Sequence, residues 1–318
     1  MGRSNHQMRS PPVDRKAFYL KILLLGSNGQ LGRELEHQLS SVGSVSAFPR
    51  SMLDITNHQA VEDAIRAIHP KIIVNAAAYT AVDDAETNRQ HANAVNAYAV
   101  KNLAQIAKKK RAWLIHYSTD YVFDGSESTP YLETDTPNPI NVYGASKLAA
   151  ERAIAEIDGQ HLIFRTSWVV GKDGNNFAKT ILRLAAERSS LQVVSDQIGV
   201  PTSPLLISKI TADAIRATKQ NNAWPRGIYH LSPKGISSWH EIATTLISFA
   251  EQQRFPLKTK VSDIQSIRTA DYSTTAMRPL NSRLDTQKLQ SQLSFDLPHW
   301  KVDFLAVAKD IVKELKTI

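Results

Sequence analysis

The chain of 318 residues contains no cysteine. That excludes disulfides, thiolate metal sites and cysteine nucleophiles, and it fits a reducing compartment. No apolar run approaches the ~20 residues needed to span a bilayer, so no membrane association is expected. The first twenty residues carry Arg3, Arg9, Arg15 and Lys16 but no apolar stretch, so they are not a secretory signal, and a cytoplasmic location is expected. Residues 1–19 read as a disordered tail outside the fold. Acidic residues are the minority, 30 against 38 Lys and Arg, for a net charge of +8. Residues 1–21 hold five basic side chains and one acidic one, which is half of that excess. The one dense basic run, Lys108-Lys109-Lys110-Arg111, sits at the end of a helical pattern, where cations favour the negative helix terminus. No aromatic residues interleave with it as single-strand binding would want. No nucleic-acid partner is expected, since an anionic cofactor and an anionic substrate explain a mild basic bias equally well.

What the chain does contain is organised around Lys21-Ile-Leu-Leu-Leu-Gly-Ser-Asn-Gly-Gln-Leu-Gly32. A short apolar run, three glycines and an amphipathic run predict strand, tight turn and helix. In such a turn Gly26 permits the sharp reversal, Gly29 leaves room for a pyrophosphate, and Gly32 lets helix and strand pack closely. The helix N-terminus then supplies N–H donors to the phosphates.

Further strands are predicted at 45–48, 71–74, 113–118 and 161–165, alternating with helices over 57–68, 89–109 and 142–157, with Thr56 or Asn57 as a cap. Alternation of this kind means a doubly wound parallel sheet, an α/β fold of Rossmann type, because parallel neighbours need a crossover. Beyond about residue 170 the rhythm loosens. Helices are expected over 176–187, 207–218, 238–253 and 302–315, and strands over 191–194 and 227–231. The dinucleotide-binding domain is placed at 20–170 plus about 204–226. A smaller α/β substrate-binding lobe takes about 171–203 plus 227–318.

Two strand-end segments carry candidate chemistry. Ser118-Thr-Asp-Tyr-Val-Phe-Asp124 follows one strand, and Tyr143-Gly-Ala-Ser-Lys147 opens the next helix. Tyr143 and Lys147, four apart, share a helix face. A lysine ammonium beside the phenol is expected to lower its pKa from ~10 and make it an acid or base near neutrality. Thr119 is placed to hydrogen-bond the same carbonyl oxygen. His116, inside a strand, is read as structural. At the end of the second strand, Phe48-Pro-Arg-Ser51 lacks the acidic residue that takes ribose hydroxyls in NAD sites. Arg50 suits a phosphate instead, so NADPH is expected to be preferred and NADH tolerated.

From about Leu20 to the C-terminus the chain resembles the extended short-chain dehydrogenase/reductases, and within them the dTDP-4-dehydrorhamnose reductases. The resemblance rests on Asn75-Ala-Ala-Ala-Tyr-Thr-Ala-Val-Asp83, Ser118-Thr-Asp-Tyr-Val-Phe-Asp-Gly125, Asn141-Val-Tyr-Gly144, Phe164-Arg-Thr-Ser-Trp168, Gly174-Asn-Asn-Phe177 and Arg278-Pro-Leu-Asn-Ser-Arg-Leu-Asp285. It implies reduction of a 4-keto sugar nucleotide by a nicotinamide hydride, the last step toward dTDP-L-rhamnose for lipopolysaccharide and other surface polysaccharides. By that likeness Thr119, Tyr143 and Lys147 are catalytic, and Lys147 also holds the nicotinamide ribose. Gly29, Gln30 and Leu31 touch the pyrophosphate, Asp54 and Ile55 the adenine, and Ala78, Tyr79 and Thr80 line the cofactor path. Asp120, Trp168, Arg278 and Ser282 are expected at the sugar nucleotide.

Three alternatives bear on this reading. A 4,6-dehydratase of the same group would carry a glutamate where Tyr121 stands. A sugar-nucleotide 4-epimerase is not separated by motif. A non-catalytic dinucleotide-binding regulatory subunit, of the methionine adenosyltransferase kind, shares the fold, but the intact Thr119, Tyr143 and Lys147 favour an enzyme. Some relatives form magnesium-bridged dimers, yet the segment Pro201–Leu205 offers no carboxylate, so no metal is expected. The sequence does not indicate an oligomeric state.

Overall fold

The computed structural model describes residues 20–221 and 226–316. The expected tail at 1–19 lies outside them. In chain order the elements are β1 (Lys21–Leu25), α1 (Gln30–Leu39), β2 (Ser44–Phe48), α2 (His58–Ile68), β3 (Ile72–Asn75), α3 (Val82–Thr87), α4 (Arg89–Asn93), a π-helical turn (Ala94–Tyr98) and α5 (Ala99–Lys110). They continue with β4 (Trp113–Thr119), α6 (Val142–Ile157), β5 (His161–Thr166), α7 (Phe177–Glu187), β6 (Leu191–Val194), β7 (Ile198–Gly199) and α8 (Pro204–Asn221). The last are β8 (Gly227–His230), β9 (Ser237–Ser238), α9 (Trp239–Gln252), β10 (Ile264–Ile267), α10 (Gln287–Leu293) and α11 (Trp300–Leu315).

The main sheet is parallel throughout, in the order β2-β1-β3-β4-β5-β8. Its inner strands are apolar on both faces because helices cover both. On one side Ile22, Leu24, Val74 and Phe164 pack with α1 and α8. On the other, Leu23, Leu25, Ile73 and Ile163 pack with α2, α5 and α6. The strand order reverses between β1 and β3, so the crevice beyond their carboxyl ends is the expected ligand position. Here Gly26 (φ +79°) makes the turn, and a Cβ on it would lie 2.6 Å from Ala77 N. A Cβ on Gly32 would lie 2.1 Å from the Gly26 carbonyl oxygen. Both glycines are required by close approach, as the sequence suggested.

The second lobe has its own core, in which Ile181, Leu182, Ile242, Leu246, Trp300, Phe304 and Ile311 join α7, α9 and α11 over the short β6–β10 pair. Two expectations need correction. The strand near 227 does not belong to this lobe: β8 pairs with β5 at the edge of the main sheet. The reason is the crossover, since α8 packs on α1 and the chain leaving it returns to the sheet. The domain division expected at residue 227 therefore falls inside the dinucleotide-binding sheet. The expected helix at 89–109 is also broken. An extra helix, α3, precedes it, and a π turn interrupts it at Ala94–Tyr98.

Candidate active site

Asn141 caps α6, its Oδ1 accepting the Gly144 N–H at 2.7 Å, while its Nδ2 donates to the Met277 carbonyl at 2.8 Å. Glu86 accepts the next free N–H, that of Val142, at 2.8 Å. The helix start is thus tied to α3 and to the loop between β10 and α10, which holds Tyr143 in its first turn and Lys147 one turn later. A cavity of about 540 Å³ opens there, lined among others by Gly29, Thr119, Asp120, Tyr143, Lys147 and Trp168. It adjoins a cleft of about 250 Å³ lined by Gly26, Gly29, Arg50, Asp54, Ile55 and Tyr79. Ala78 borders both, and Gln30, Leu31 and Thr80 border the larger one.

The cleft fits a dinucleotide. Gly29 caps α1 without any side-chain bond, so the first-turn N–H groups have no side-chain acceptor of their own. Ile55 is buried beside Leu53 and gives an apolar wall for a base. Asp54 Oδ1 accepts from the Thr56 N–H at 2.9 Å and hydroxyl at 2.7 Å, and its Oδ2 accepts from Arg50 Nε at 3.1 Å. Burial pushes the Asp54 carboxyl up, but Thr56 and Arg50 together bring it below the ordinary value. The Arg50 side chain lines this cleft and is largely exposed.

In the larger cavity Thr119 Oγ1 donates to Asp120 Oδ1 at 3.0 Å. Burial pushes the Asp120 carboxyl up to about 7, opposed by the hydroxyls of Ser282 and Thr119. Asp120 Oδ2, Ser118 Oγ and Thr166 Oγ1, on residues that line the cavity, are buried and lack a well-formed hydrogen bond among the described residues. Such unsatisfied groups around a cavity suit a polyhydroxylated ligand. Trp168 forms one wall in a left-handed backbone conformation (φ +45°) and stacks on Trp239 at 3.9 Å. Phe177 leans on Trp239 at 4.5 Å.

Tyr143 is half-buried, and desolvation of its phenol together with the Asp120 charge pushes it up to about 12 against a smaller opposing pull from Thr119. The lowering expected from Lys147 is absent in the free protein. Lys147 Nζ donates instead to the Tyr117 carbonyl at 2.5 Å and faces His116 Nε2 at 3.3 Å. Burial brings its ammonium down to about 8, with Glu151 opposing. His116, read as structural, is therefore a neighbour of the candidate lysine. Its Nδ1 stands 3.2 Å from Asn75 Nδ2.

Not every expected residue lines the cavity. The Arg278 guanidinium is occupied by Asp83 in a bidentate pair, at 3.1 and 2.6 Å. Ser282 neighbours Asp120 and does not line the cavity. Sequence reasoning missed Asn96 and Trp239. Asn96, on the π turn, accepts the Tyr79 N–H at 2.8 Å and donates to the Tyr79 carbonyl and to Ser146 Oγ, each at 3.0 Å, which pins the Tyr79 wall of the cleft to α6. An asparagine on the packed side of an alanine-rich helix was the available signal, because such a polar group needs partners.

Residues 20–313 match the family of the RmlD substrate binding domain. The dTDP-4-dehydrorhamnose reductase of Escherichia coli K12 is 45% identical over 287 residues, which cover 89% of this chain and 95% of that protein. The crystal structure of a dTDP-4-dehydrorhamnose reductase from Bacillus anthracis in complex with NADP superposes with a TM-score of 0.82 at 35% identity, over 91% of this chain and 99% of the other. A UDP-glucose 4-epimerase from Thermus thermophilus in complex with NAD shares the fold alone, at 16% identity with a TM-score of 0.75 over 92% of this chain and 98% of the other. With its glycine turn, its Thr119, Tyr143 and Lys147 gathered at one cavity and these likenesses along nearly its whole described length, the chain belongs to the dTDP-4-dehydrorhamnose reductase family.

Proposed function

We propose that this protein reduces the 4-keto group of dTDP-4-dehydro-β-L-rhamnose to dTDP-β-L-rhamnose with NADPH, and with NADH less well. This is the last step of dTDP-L-rhamnose biosynthesis for bacterial surface polysaccharide, and we assign it to the cytoplasm. The observation that carries the reading is the convergence of Thr119, Tyr143 and Lys147 on a cavity continuous with the glycine turn.

When bound, the nicotinamide supplies the hydride. Gly29, Gln30 and Leu31 would hold the pyrophosphate, Asp54 and Ile55 the adenosine end, and Lys147 the nicotinamide ribose. As charge develops on the sugar O4, Tyr143 delivers its phenolic proton to that oxygen. Its raised pKa keeps the proton on the ring at neutral pH until the reaction creates a stronger base. Thr119 turns its hydroxyl from Asp120 to the same oxygen. Asp120 takes a sugar hydroxyl, and Trp168 and Trp239 close the cavity against water.

The test is oxidation of NADPH with dTDP-4-dehydro-L-rhamnose, with the product configuration at C4 read by NMR. Turnover giving the rhamno product supports the proposal. The opposite configuration would mean reduction on the other face of the sugar, interconversion of the C4 epimers without net NADPH oxidation would point to a 4-epimerase, and NADPH binding with no turnover to a regulatory subunit. Arg50→Ala should erase the preference for NADPH, measured as the ratio of kcat/KM for the two cofactors, because it removes the cation at the ribose-phosphate position.

A further inference from the structure

Gln30 is the first residue of α1 and lies within the turn that would hold the pyrophosphate. Its side chain does something the turn does not need. Oε1 accepts the Gly171 N–H at 3.1 Å and Asn176 Nδ2 at 3.2 Å, reaching 141 and 146 positions along the chain. Asn176 in turn is the cap of α7: its Oδ1 accepts the Lys179 N–H at 3.1 Å, and its Nδ2 also donates to the Gly171 carbonyl at 2.6 Å. One amide oxygen from the phosphate turn therefore holds both the 171–176 loop and the start of the first helix in the smaller lobe.

That loop is a wall of the larger cavity. Asn175, Asn176 and Phe177 line it together with Gln30, and Phe177 rests on Trp239, which stacks on Trp168. Two further contacts join α1 to the loop, Arg33 Nε to Asp173 Oδ1 at 3.8 Å and Lys172 Nζ to Glu34 Oε1 at 3.6 Å. These are long, solvent-screened pairs and contribute little. The half-buried Gln30 amide is the specific connection.

From this geometry we infer that Gln30 is a positioning residue, coupling dinucleotide binding at the glycine turn to sugar-nucleotide binding by the smaller lobe. The inference rests on the functional reading above and adds to it. A ligand seated on the α1 N-terminus fixes the turn, and with it the Gln30 stem. The amide then holds the α7 cap and the aromatic wall in the arrangement that receives the sugar nucleotide. By linkage the effect is reciprocal, so each ligand tightens the other by the same factor.

The test is calorimetric titration of dTDP-L-rhamnose into the protein alone and into the protein saturated with NADPH. Product and reduced cofactor cannot turn over, so affinities are read without catalysis. In the wild type NADPH should tighten dTDP-L-rhamnose binding by about fivefold or more. Gln30→Met keeps the stem and loses the acceptor. Asn176→Asp keeps the capping oxygen and loses the donor, which tests the same connection from the other side should Gln30→Met fail to fold. In both the ratio should fall to within about twofold of one, a readout that a uniform loss of affinity does not move. Equal affinity with and without NADPH in the wild type, or a ratio preserved in the variants, overturns the coupling alone. No binding of dTDP-L-rhamnose to the wild type overturns the functional reading and the coupling with it.

Discussion

Tyr143 is a neutral phenol at neutral pH, as an ordinary tyrosine is, and desolvation with the Asp120 charge beside it pushes its pKa further up, so it stands as a proton donor rather than an activated phenolate. Tyr143→Phe keeps the ring, including its edge contact with Tyr121 at 5.8 Å, and removes only the proton. It should lower kcat by roughly 10²–10⁴-fold with little change in NADPH affinity, read by stopped-flow oxidation and fluorescence titration. Asp120 offers a separate test of burial. Its folded pKa of about 7 lies above the ~3.9 of an exposed aspartate. Below pH ~4 both states are protonated and the group contributes nothing. Between ~4 and 7 only the unfolded state ionises, so the group destabilises increasingly, reaching a plateau above 7 of roughly 4 kcal/mol at most. Asp120→Asn keeps an acceptor for Thr119 and removes this cost. Its Tm should exceed the wild-type value at pH 8, with the gap closing toward pH 4. A gap independent of pH would mean that Asp120 is not held as a buried acid.

At the scale of elements, the start of α6 decides where Tyr143 stands. The helix approaches the turn after β4 so closely that a Cβ on Gly144 would lie 2.0 Å from the Tyr121 carbonyl oxygen. In an exposed helix, glycine to alanine is stabilising by up to ~1 kcal/mol. Here the overlap is with backbone and dominates. Gly144→Ala should lose ~1–3 kcal/mol in denaturant titration, the usual range for overpacking. It should also lower kcat by about 10²-fold, because Tyr143 is carried away from Thr119 with the helix. Unchanged kinetics in a folded Gly144→Ala protein would show that the helix can shift without moving the phenol. The π turn at Ala94–Tyr98 acts in a related way, aiming Asn96 at the Tyr79 backbone from a helix that would otherwise present it elsewhere.

Across the whole molecule, the lobes are joined at two separate places. One joint is Gln30 with the 171–176 loop, and the other is the Asp83–Arg278 pair, reinforced by the Ala276 N–H to Asp83 at 2.9 Å. Arg278 beside Asp83 holds that carboxyl below the ordinary value. A bidentate, half-buried pair is stronger than an ordinary surface ion pair. A double-mutant cycle with Asp83→Ala and Arg278→Ala should give a coupling of roughly 1 kcal/mol in unfolding free energy. If the pair serves as a joint, both single variants raise the KM for the sugar nucleotide alike. A rise confined to Arg278→Ala would mean that the arginine reaches the substrate itself.

The sequence determined the features that depend on neighbours along the chain. The run Ile22–Leu25 with Gly26, Gly29 and Gly32 after it read as strand, tight turn and closely packed helix, and those elements form there. Asn57, one of the two residues read as the cap, caps α2, and α6 spans Val142–Ile157 as read, because capping and helical spacing are local. The same spacing put Tyr143 and Lys147 on one helix face. What faces those side chains was decided by tertiary structure alone. Arg278 meets a carboxylate 195 positions away, Lys147 turns to the Tyr117 carbonyl and His116 on β4, and β8 joins a sheet whose other strands lie more than sixty residues earlier. Burial by distant elements also reversed the expected direction of the Tyr143 pKa. Periodicity and turn chemistry report the conformation of a segment, whereas partners and local polarity follow from which distant surfaces the packed core brings against it.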